Sequence, residues 1–331
     1  MVTYAFLFFL VVIVYPIASL SKYGEVRRMK NNLKLYPLNN NPTKGIYPTS
    51  IIQIGAYQKW LKNIKGRNVI VALLDTGVDY YHPNLRNQVI DGYNFSDEGN
   101  ANCFLDYNGH GTHVAGIIVG KSSLDNLFTG IAPEAKILAL KVLDKNGTGK
   151  VKSLIDAIHY SIDWIGPNKE RVDVINISLG VQKNDILLHN AVKRAVEAQI
   201  PIIAAAGNYG DNDNYSNEYS YPGAYKEVIE VGAVDENNII TSFTNTNEEI
   251  DIYGPGHQIL STYLDKKLIA LSGTSMAAPH ITGAIALLIE EQRNTGKSED
   301  ERTIFSLLCK NTKSMELDNS KIKGCGALFL T

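Results

Sequence analysis

From residue 50 onward, runs of apolar and β-branched residues alternate with segments whose apolar residues recur at helical spacing. This alternation predicts a parallel sheet covered by helices. The predicted strands are continuous apolar runs, which is typical of strands buried on both faces. They are residues 68–74, 135–142, 173–177, 201–205 and 228–231.

Apolar stripes predict the helices that cover this sheet. Apolar residues recur every three or four positions between Val151 and Ile165, and again between Leu187 and Val196, as on the core-facing side of a helix. Near the C-terminus, residues 298–310 predict a helix that Ser298 opens, and residues 327–330 predict an edge strand. We assign no chemistry to these stripes.

The first 20 residues are almost wholly apolar, as in a signal-peptide core or a short membrane-spanning helix. Basic residues follow this segment, beginning with Lys22, and none precedes it, which favours a cytoplasmic C-terminal side if the segment is retained. A cleaved signal and a single-pass anchor both stay open. We therefore expect a secreted or membrane-associated protein, with membrane association through residues 4–20.

Composition narrows the domain organisation and the partners. The chain has 331 residues, of which 44% are hydrophobic, enough for one large core. We divide it into a signal or anchor (1–21), a linker or short extension (22–49) and one main domain (50–331). The formal net charge of -2 argues against a nucleic-acid partner. The oligomeric state stays open, with a dimer among the alternatives.

The cysteines give no sign of a metal site or of a disulfide framework. Cys103, Cys309 and Cys325 lie far apart, without the spacing of metal ligands, and three cysteines cannot all pair within one chain. We therefore expect free thiols.

Asp75 is the first candidate for chemistry. It ends a predicted buried strand and begins the sequence Asp75-Thr76-Gly77, at the sheet edge where such folds place their active groups. A turn or capping role is the simpler alternative. Asp-Thr-Gly is also the signature of aspartic proteases, but those need two carboxylates that share a proton, and therefore a dimer here.

His110 is the second candidate. The loop Asp106-Tyr-Asn-Gly brings it to the start of an apolar helical run, where small neighbours allow its ring to approach another element. His110 and His113 could instead bind a metal or be core residues. No third ligand follows at a helix-compatible spacing, so the metal reading is the weaker one.

Ser275 and Asn208 complete the set. Ser275 lies in a tight turn before a hydrophobic helix, where it could be a helix cap or a nucleophile beside the positive helix end. Asn208 follows a predicted strand in Ala204-Ala-Ala-Gly-Asn208, and its amide could donate to a developing oxyanion. Pro279 is expected in about the first turn of the helix, where its missing NH costs little.

The four motifs together resemble those of a known family. Asp75-Thr-Gly, His110-Gly-Thr-His-Val-Ala-Gly, the Asn208 loop and Gly273-Thr-Ser-Met-Ala-Ala-Pro-His are similar to the signatures of subtilisin-like serine proteases, as is the chain order Asp, His, Ser. Within that family the chain most resembles the intracellular subtilisins, through residues 106–110, 210–218 and 326–331.

The resemblance implies a fold and an activity. The fold would be a three-layer α/β architecture with a mainly parallel central sheet flanked by helices. Ser275 would be the nucleophile, His110 the base and Asp75 its partner, with Asn208 and the NH of Ser275 as the oxyanion hole. The activity would be broad endopeptidase cleavage through an acyl-enzyme. A maturation protease for one precursor and a non-catalytic peptide-binding homologue are the alternatives.

The resemblance also implies subsites that bind the substrate. Two chain edges would pair with an extended peptide: residues 178–180, which are Ser178, Leu179 and Gly180, and residues 150–154, which include Val151 and Leu154. The S1 pocket would be lined by Ala205, Gly207 and Ser220, with Tyr209 at its rim. Many relatives have glycine in place of Ser220, so we expect a shallower pocket.

Cations and the N-terminal extension are the last implications. The chemistry needs no cofactor, but structural calcium is a feature of the family. Asn84 replaces the usual Asp of the strong site, which weakens that expectation. Glu249 and Asp251 with Gly223, Tyr225 and Val228 match a second, weaker site, although exposed acidic residues without a metal are equally consistent.

Intracellular subtilisins carry an inhibitory extension, and Leu35-Tyr36-Pro37 loosely matches its motif, so we expect it across the cleft.

Overall fold

The computed structural model describes residues 47–122, 128–211, 217–315 and 324–331 with their side chains, and the backbone of residues 11–13, 33–37 and 44–46. The strands are β1 Val11–Ile13, β2 Leu33–Pro37, β3 Lys44–Pro48, β4 Ile70–Asp75, β5 Val89–Asn94, β6 Lys136–Lys141, β7 Thr148–Lys150, β8 Val174–Ile177, β9 Ile202–Ala205, β10 Ile229–Val234, β11 Ile250–Pro255, β12 Ile259–Tyr263, β13 Lys267–Leu271, β14 Thr312–Lys313 and β15 Ala327–Leu328. The helices are α1 Thr49–Gln53, α2 Ala56–Leu61, α3 His110–Val119, α4 Val151–Asp163, α5 Ile186–Glu197, α6 Thr274–Thr295 and α7 Glu301–Lys310.

A nine-stranded sheet forms the centre of the molecule, in the order β14-β15-β11-β10-β9-β8-β4-β6-β5. Its neighbouring strands from β15 to β5 run parallel, and β14 pairs antiparallel with β15. Because parallel strands point their carboxyl ends to one edge, the residues that follow them gather there. The predicted mainly parallel sheet is confirmed.

Each face of the sheet has its own hydrophobic core. Along β4, Val71 and Leu73 pack into the core that includes α3 and α6. The alternating residues Ala72 and Leu74 pack into the core that includes α4 and α5. Side chains that alternate between two buried faces produce a continuous apolar strand. The three-layer architecture follows from this alternation.

The start of α7 differs from the sequence prediction. Helix α7 begins at Glu301, and its cap is Asp300, whose carboxylate accepts a hydrogen bond from the NH of Thr303 at 2.9 Å. Ser298 lies before the cap and bonds to Asp300. In α6, which begins at Thr274, Pro279 is inside the helix, just beyond its first turn.

The prediction that the cysteines are free thiols is wrong for two of them. Cys309, in α7, and Cys325, just before β15, form a disulfide with a Cα–Cα distance of 5.1 Å. Cys103 is free. The C-terminal residues 324–331 bring Cys325 close to Cys309. The NH of Cys325 donates to the carbonyl of Asp251 at 2.7 Å, and β15 pairs with β11.

The N-terminal strands pair in a way that the sequence did not predict. Strand β1 pairs antiparallel with β7, with Val12 opposite Gly149. Strands β2 and β3 form an antiparallel hairpin, in which Tyr36 lies opposite Gly45. The motif Leu35-Tyr36-Pro37 therefore lies in a hairpin, and β1 is the segment that pairs with β7. The rest of the apolar N-terminal segment is outside the described residues.

Candidate active site

Asp75 and His110 form a hydrogen-bonded pair at the carboxyl edge of the sheet. Asp75 is the last residue of β4, and its Oδ1 lies 2.8 Å from Nδ1 of His110, the first residue of α3. Both side chains are about 1% exposed. The same Oδ1 accepts from the NH of Thr76 at 2.7 Å. This geometry holds the imidazole with Nε2 turned away from Asp75, and Nε2 has no hydrogen-bond partner among the described residues.

Burial and charge act in opposite directions on His110. Burial alone would lower the pKa of His110, but the charge and hydrogen bond of Asp75, together with the charge of Asp106, raise it above its ordinary value. The imidazolium form is therefore stabilised inside the protein, as a general base needs after it accepts a proton.

Asp106 organises the loop that delivers His110. Its Oδ1 accepts from the hydroxyl of Thr76 at 2.9 Å and from the NH of Gly109 at 2.9 Å. Its Oδ2 accepts from the NH and hydroxyl of Thr112, at 2.9 and 2.6 Å. A buried carboxylate with this many donors locks the turn before α3. Asp106 was quoted in the motif, but its positioning role was not foreseen.

Strand β12 supports α3 from behind. The hydroxyl of Tyr263 donates to the carbonyl of Asn108 at 3.0 Å, and that of Thr262 donates to the carbonyl of Thr112 at 2.7 Å. Nε2 of His113 lies 3.1 Å from the carbonyl oxygen of Ile259. Burial lowers the pKa of His113 to about 3, so its ring is neutral and donates to this carbonyl. His113 is thus a structural residue.

Ser275 is the second residue of α6, and Gly273 precedes the helix. Ser275 is 2% exposed, and its hydroxyl donates to the carbonyl of Ser178 at 2.9 Å. The hydroxyl therefore points to the first residue of one predicted substrate edge. Ser275 is inside the helix start rather than its cap, since Gly273 takes that position.

Asn208 lies against the same helix start. Its Oδ1 accepts from the NH of Thr274 at 2.9 Å and from the hydroxyl of Thr274 at 2.8 Å. These bonds orient the amide and leave the NH2 end for another acceptor. A Cβ on Gly273 would lie 2.9 Å from Nδ2 of Asn208, so a glycine is needed to keep that end open.

Asn245, which the sequence reasoning missed, clamps the loop that carries Asn208. Its Nδ2 donates to the carbonyl of Ala206 at 2.8 Å, and its Oδ1 accepts from the NH of Tyr209 at 2.7 Å. Asn245 is 1% exposed. Gly207 adopts φ +112°, and a Cβ there would lie 2.4 Å from Nδ2 of Asn245. No local sequence pattern predicts this contact, because Asn245 is distant in sequence from the loop that it holds.

The predicted S1 residues Ala205, Gly207 and Ser220 are buried, whereas Tyr209 is exposed. Ala205 ends β9, and Ser220 is fully buried. A Cβ on Gly223 would lie 3.0 Å from the carbonyl oxygen of Ala205 and 3.1 Å from that of Ser220. Tyr209 is 38% exposed, which fits a rim position.

The predicted substrate edges are partly strands and partly helix. Leu179 and Gly180 are buried beside Ser178. Val151 and Leu154 belong to α4 and are buried, so their backbone is helical rather than extended. The extended edge is β7, which ends at Lys150 and is paired with the chain's own strand β1.

The two expected calcium sites differ from what calcium prefers. The amide of Asn84 donates to the carbonyl of Lys121 at 2.9 Å, so its NH2 group faces a carbonyl that could otherwise ligate a cation. At the second site, Oδ2 of Asp251 accepts from the NH of Glu230 at 2.9 Å, and the carbonyl of Tyr225 accepts from the NH of Val228. Within the described ranges, no group of three or more His, Cys, Asp or Glu residues is arranged to hold a metal ion.

Known proteins resemble this chain over most of its length. The Subtilase family, peptidase S8, matches residues 66–326. The "Major intracellular serine protease" of Bacillus subtilis (strain 168) is 43% identical over 288 residues, which are 86% of this chain and 88% of the relative. The "Intracellular serine protease" of Paenibacillus polymyxa is 44% identical over 289 residues, covering 86% and 85%. "Subtilisin DY" of Bacillus licheniformis is 37% identical over 261 residues, covering 78% and 90%.

These comparisons overturn one expectation. The prediction of a secreted or membrane-associated protein is wrong, because relatives that match 86% of the chain are named intracellular. In the described ranges, no helix has the length and apolar character needed to cross a membrane. Part of the apolar segment, Val11–Ile13, is instead a strand of β-branched residues paired with β7. Neither the comparisons nor the described residues support a dimer.

The remaining expectations of family, fold and enzyme class agree with these findings. A subtilase of this kind needs no cofactor for its chemistry, and its substrates are proteins or peptides. The chain belongs to the subtilase family and is a serine-type endopeptidase.

Proposed function

We propose that Ser275, His110 and Asp75 form the catalytic triad. The observation that carries this assignment is the buried hydrogen bond between Oδ1 of Asp75 and Nδ1 of His110, at 2.8 Å, with Nε2 of His110 left without a partner in the described structure. This arrangement sets the tautomer and leaves Nε2 as the proton acceptor.

In the proposed reaction, the Ser275 hydroxyl leaves the carbonyl of Ser178 and attacks the peptide carbonyl. Nε2 of His110 takes its proton as the new C–O bond forms and gives a tetrahedral intermediate. His110 then gives this proton to the amine nitrogen as the peptide C–N bond breaks, which leaves the acyl-enzyme. Water deacylates the enzyme by the same steps, with His110 again as base.

Asn208 and the NH of Ser275 are proposed to form the oxyanion hole. The orientation of the Asn208 amide by Thr274, through hydrogen bonds of 2.8 and 2.9 Å, supports this role. Because these donors are already oriented, they stabilise the developing charge without reorganisation.

We propose that the enzyme recognises extended backbone and is broad in its specificity. Residues 178–180 and strand β7 would flank the substrate and pair with it as neighbouring strands. Ala205, Gly207 and Ser220 would line S1, with Tyr209 at the rim. The antiparallel pairing of β1 with β7 supports a competing role for the N-terminal segment, since it uses the backbone groups that a substrate strand would use.

We also propose a division of the chain and a place of action. Residues 50–331 would form the catalytic domain, and the preceding residues an extension that covers the β7 edge until it is removed. The enzyme would act inside the cell, as the names of its relatives state of those proteins. Calcium binding at Glu249, Asp251, Gly223, Tyr225 and Val228 has no support beyond the match of these residues.

The triad is tested with a serine-directed phosphonate and a peptide library. The full chain should react at Ser275 and cleave peptides. Ser275→Ala should fold normally, as judged by circular dichroism, and lose nearly all hydrolysis. Substantial turnover by Ser275→Ala would contradict the assignment.

The extension is tested by comparing the full chain with a variant that starts at Thr49. We expect the shorter protein to cleave faster, because the β7 edge is open. Equal kcat/KM values would refute the covering role and leave the triad assignment untouched.

A further inference from the structure

A lysine is fully buried at the end of strand β6. Lys141 is 0% exposed, and the four residues before it in the strand are apolar. Taking an ammonium group out of water is costly, and a buried ion pair is often no more stabilising than apolar residues of similar volume. The stability of the fold therefore does not explain Lys141, and the proposed reaction does not use its charge.

The position of Lys141 in the sheet relates it to the proposed triad. Lys141 lies opposite Asp75 in the parallel pairing of β6 with β4. Ile137 and Ala139, two earlier residues of β6, pack into the core that includes α3. Every second residue of a strand points to the same face. Lys141 therefore leaves the sheet on the side of α3, the helix that His110 begins.

The ammonium group of Lys141 bonds to the turn that follows Asp75. Its Nζ donates to the carbonyl of Thr76 at 2.7 Å. The NH of Thr76 donates to Oδ1 of Asp75 at 2.7 Å, and this is the same oxygen that lies 2.8 Å from Nδ1 of His110. The hydroxyl of Thr76 accepts from the NH of Gly111 at 2.9 Å, so Thr76 also contacts α3. Lys141 thus holds the residue that orients the Asp75 carboxylate.

Glu98 is the second partner of the ammonium group. Its Oε2 lies 3.1 Å from Nζ of Lys141, and its side chain is 23% exposed. The contact is an ion pair rather than an aligned hydrogen bond. The loop that carries Glu98 is also bonded to the backbone of Lys141, whose carbonyl accepts from the NH groups of Phe95 and Ser96 at 2.8 and 3.1 Å. The loop and the lysine therefore form one unit, in which a carboxylate compensates the buried charge.

We propose that the Lys141–Glu98 ion pair positions Asp75 for catalysis. The inference rests on the proposed function, because it takes Asp75 to be the partner of the general base His110. Glu98 fixes the ammonium group, and the ammonium group fixes the carbonyl of Thr76. The turn then keeps the Asp75 carboxylate in line with Nδ1 of His110. Lys141 acts through Asp75, so it is a positioning residue and not a catalytic one.

The positioning role predicts a loss in kcat rather than in KM. His110 accepts a proton only as the reaction proceeds, so a misplaced Asp75 weakens the stabilisation of the transition state. Substrate binding uses the proposed edges at residues 178–180 and β7, which this ion pair does not form. An interaction that acts only in the transition state lowers kcat and kcat/KM equally.

The test measures peptide hydrolysis by variants of the full chain. Lys141→Met removes the charge and the donor and keeps a side chain of similar length, so it should lower kcat by about tenfold to hundredfold with KM nearly unchanged. Lys141→Arg keeps the charge and the donors and should retain more of kcat than Lys141→Met. Glu98→Gln removes the charge of a partly exposed partner and should lower kcat by about twofold to fivefold. Adding Glu98→Gln to Lys141→Met should change nothing further, because Glu98 acts through Lys141.

A matched control and a spectroscopic measurement separate positioning from stability. Lys59 is 4% exposed and pairs with Glu291 at 2.8 Å, roughly 24 Å along α6 from Ser275. Lys59→Met should therefore lower the free energy of unfolding but leave kcat unchanged. The proton NMR signal of Nδ1–H of His110 reports its hydrogen bond to Asp75. This signal should shift in Lys141→Met and stay in place in Lys59→Met.

The outcomes separate this inference from the proposed function. A Lys141→Met enzyme with the kcat and the His110 signal of the wild type would overturn the positioning role, while an inactive Ser275→Ala would still support the triad. If Lys141→Met does not fold, Glu98→Gln decides, and an unchanged kcat in that variant would overturn the role of the pair. Full hydrolysis by Ser275→Ala would overturn both proposals.

Discussion

Replacing Asn245 by alanine should damage both stability and catalysis. The change removes the hydrogen bonds that Asn245 makes to the carbonyl of Ala206 and the NH of Tyr209, at 2.8 and 2.7 Å. An unsatisfied buried backbone group costs about 1–3 kcal/mol. The carbonyl of Ala206 is buried and the NH of Tyr209 only partly so, which gives about 2–4 kcal/mol lost from the free energy of unfolding.

The effect on catalysis follows from the position of the clamp. Asn208 lies between the two backbone groups that Asn245 holds, so its amide should lose its alignment. We expect kcat/KM to fall about tenfold to hundredfold, since small displacements of an oriented donor are costly. Asn208→Ala should lower the rate by about 10²–10³ and the free energy of unfolding by about 1–3 kcal/mol, because it also removes the hydrogen bonds from the NH and hydroxyl of Thr274.

Urea unfolding and peptide hydrolysis measure the two effects in parallel. Asn237→Ala is the matched control, because Asn237 is exposed in a surface turn and, within the described part of the chain, its side chain makes no hydrogen bond, while its backbone NH donates to Asp235. An Asn245→Ala enzyme with the stability and kcat/KM of the wild type would refute the reasoning. So would a loss of stability with fully retained activity, because it would separate the clamp from Asn208.

Three more predictions follow from the same geometry. The acid limb of the pH profile of kcat/KM should lie above pH 6.5, because only neutral His110 accepts a proton and Asp75 raises the pKa of His110 from 6.5. Asp75→Asn should move the acid limb of the remaining activity to lower pH. A wild-type acid limb below pH 6.5 would contradict the pairing of Asp75 with His110. Gly273→Ala should lower kcat by about 10²–10³, because its Cβ would lie 2.9 Å from Nδ2 of Asn208. Single-turnover kinetics measure this effect. An unchanged rate would show that the Asn208 amide does not stabilise the oxyanion. Reduction of the Cys309–Cys325 disulfide, whose cysteines are 16 residues apart, should lower the free energy of unfolding by about 3 kcal/mol. Urea unfolding with and without reductant measures this change. Equal unfolding midpoints would mean that the disulfide does not stabilise the fold.

The sequence predicted those parts of the molecule whose signals are local. Strand β4 and Asp75 were predicted because a buried parallel strand is a continuous apolar run, and its last residue is polar. The starts of α3 and α6 were predicted because each follows a glycine-rich turn. In these regions the burial pattern and the turn residues agree, so neighbouring residues suffice to locate the element.

The parts that the sequence did not reveal depend on contacts between distant residues. Asn245 bonds Tyr209 from 36 residues away, and nothing in its own neighbourhood distinguishes it from a turn residue. Cys309 and Cys325 pair because β15 brings the tail to β11, which no cysteine count reveals. The sequence predicted that Val11–Ile13 is part of a membrane segment, because these residues are apolar. Apolar β-branched residues also form strands, and composition alone does not separate the two structures.

Several buried polar atoms lack hydrogen-bond partners among the described residues, and a comparison of them shows how His110 differs from the other buried histidines. Burial lowers the pKa of His113 to about 3 and that of His280 to about 4, so each ring is neutral. In each ring one nitrogen donates to a backbone carbonyl, and the unpaired nitrogen lacks only a hydrogen bond that it would accept. At Glu290, the second oxygen accepts from the NH groups of residues 65, 66 and 67 at 2.6, 2.6 and 3.0 Å, which satisfies the carboxylate. Nε2 of His110 has no hydrogen-bond partner among the described residues, and the pKa of this imidazole is raised rather than lowered. Leaving such a buried nitrogen unpaired does not stabilise the fold, and in the proposed triad its partner is the hydroxyl proton of Ser275.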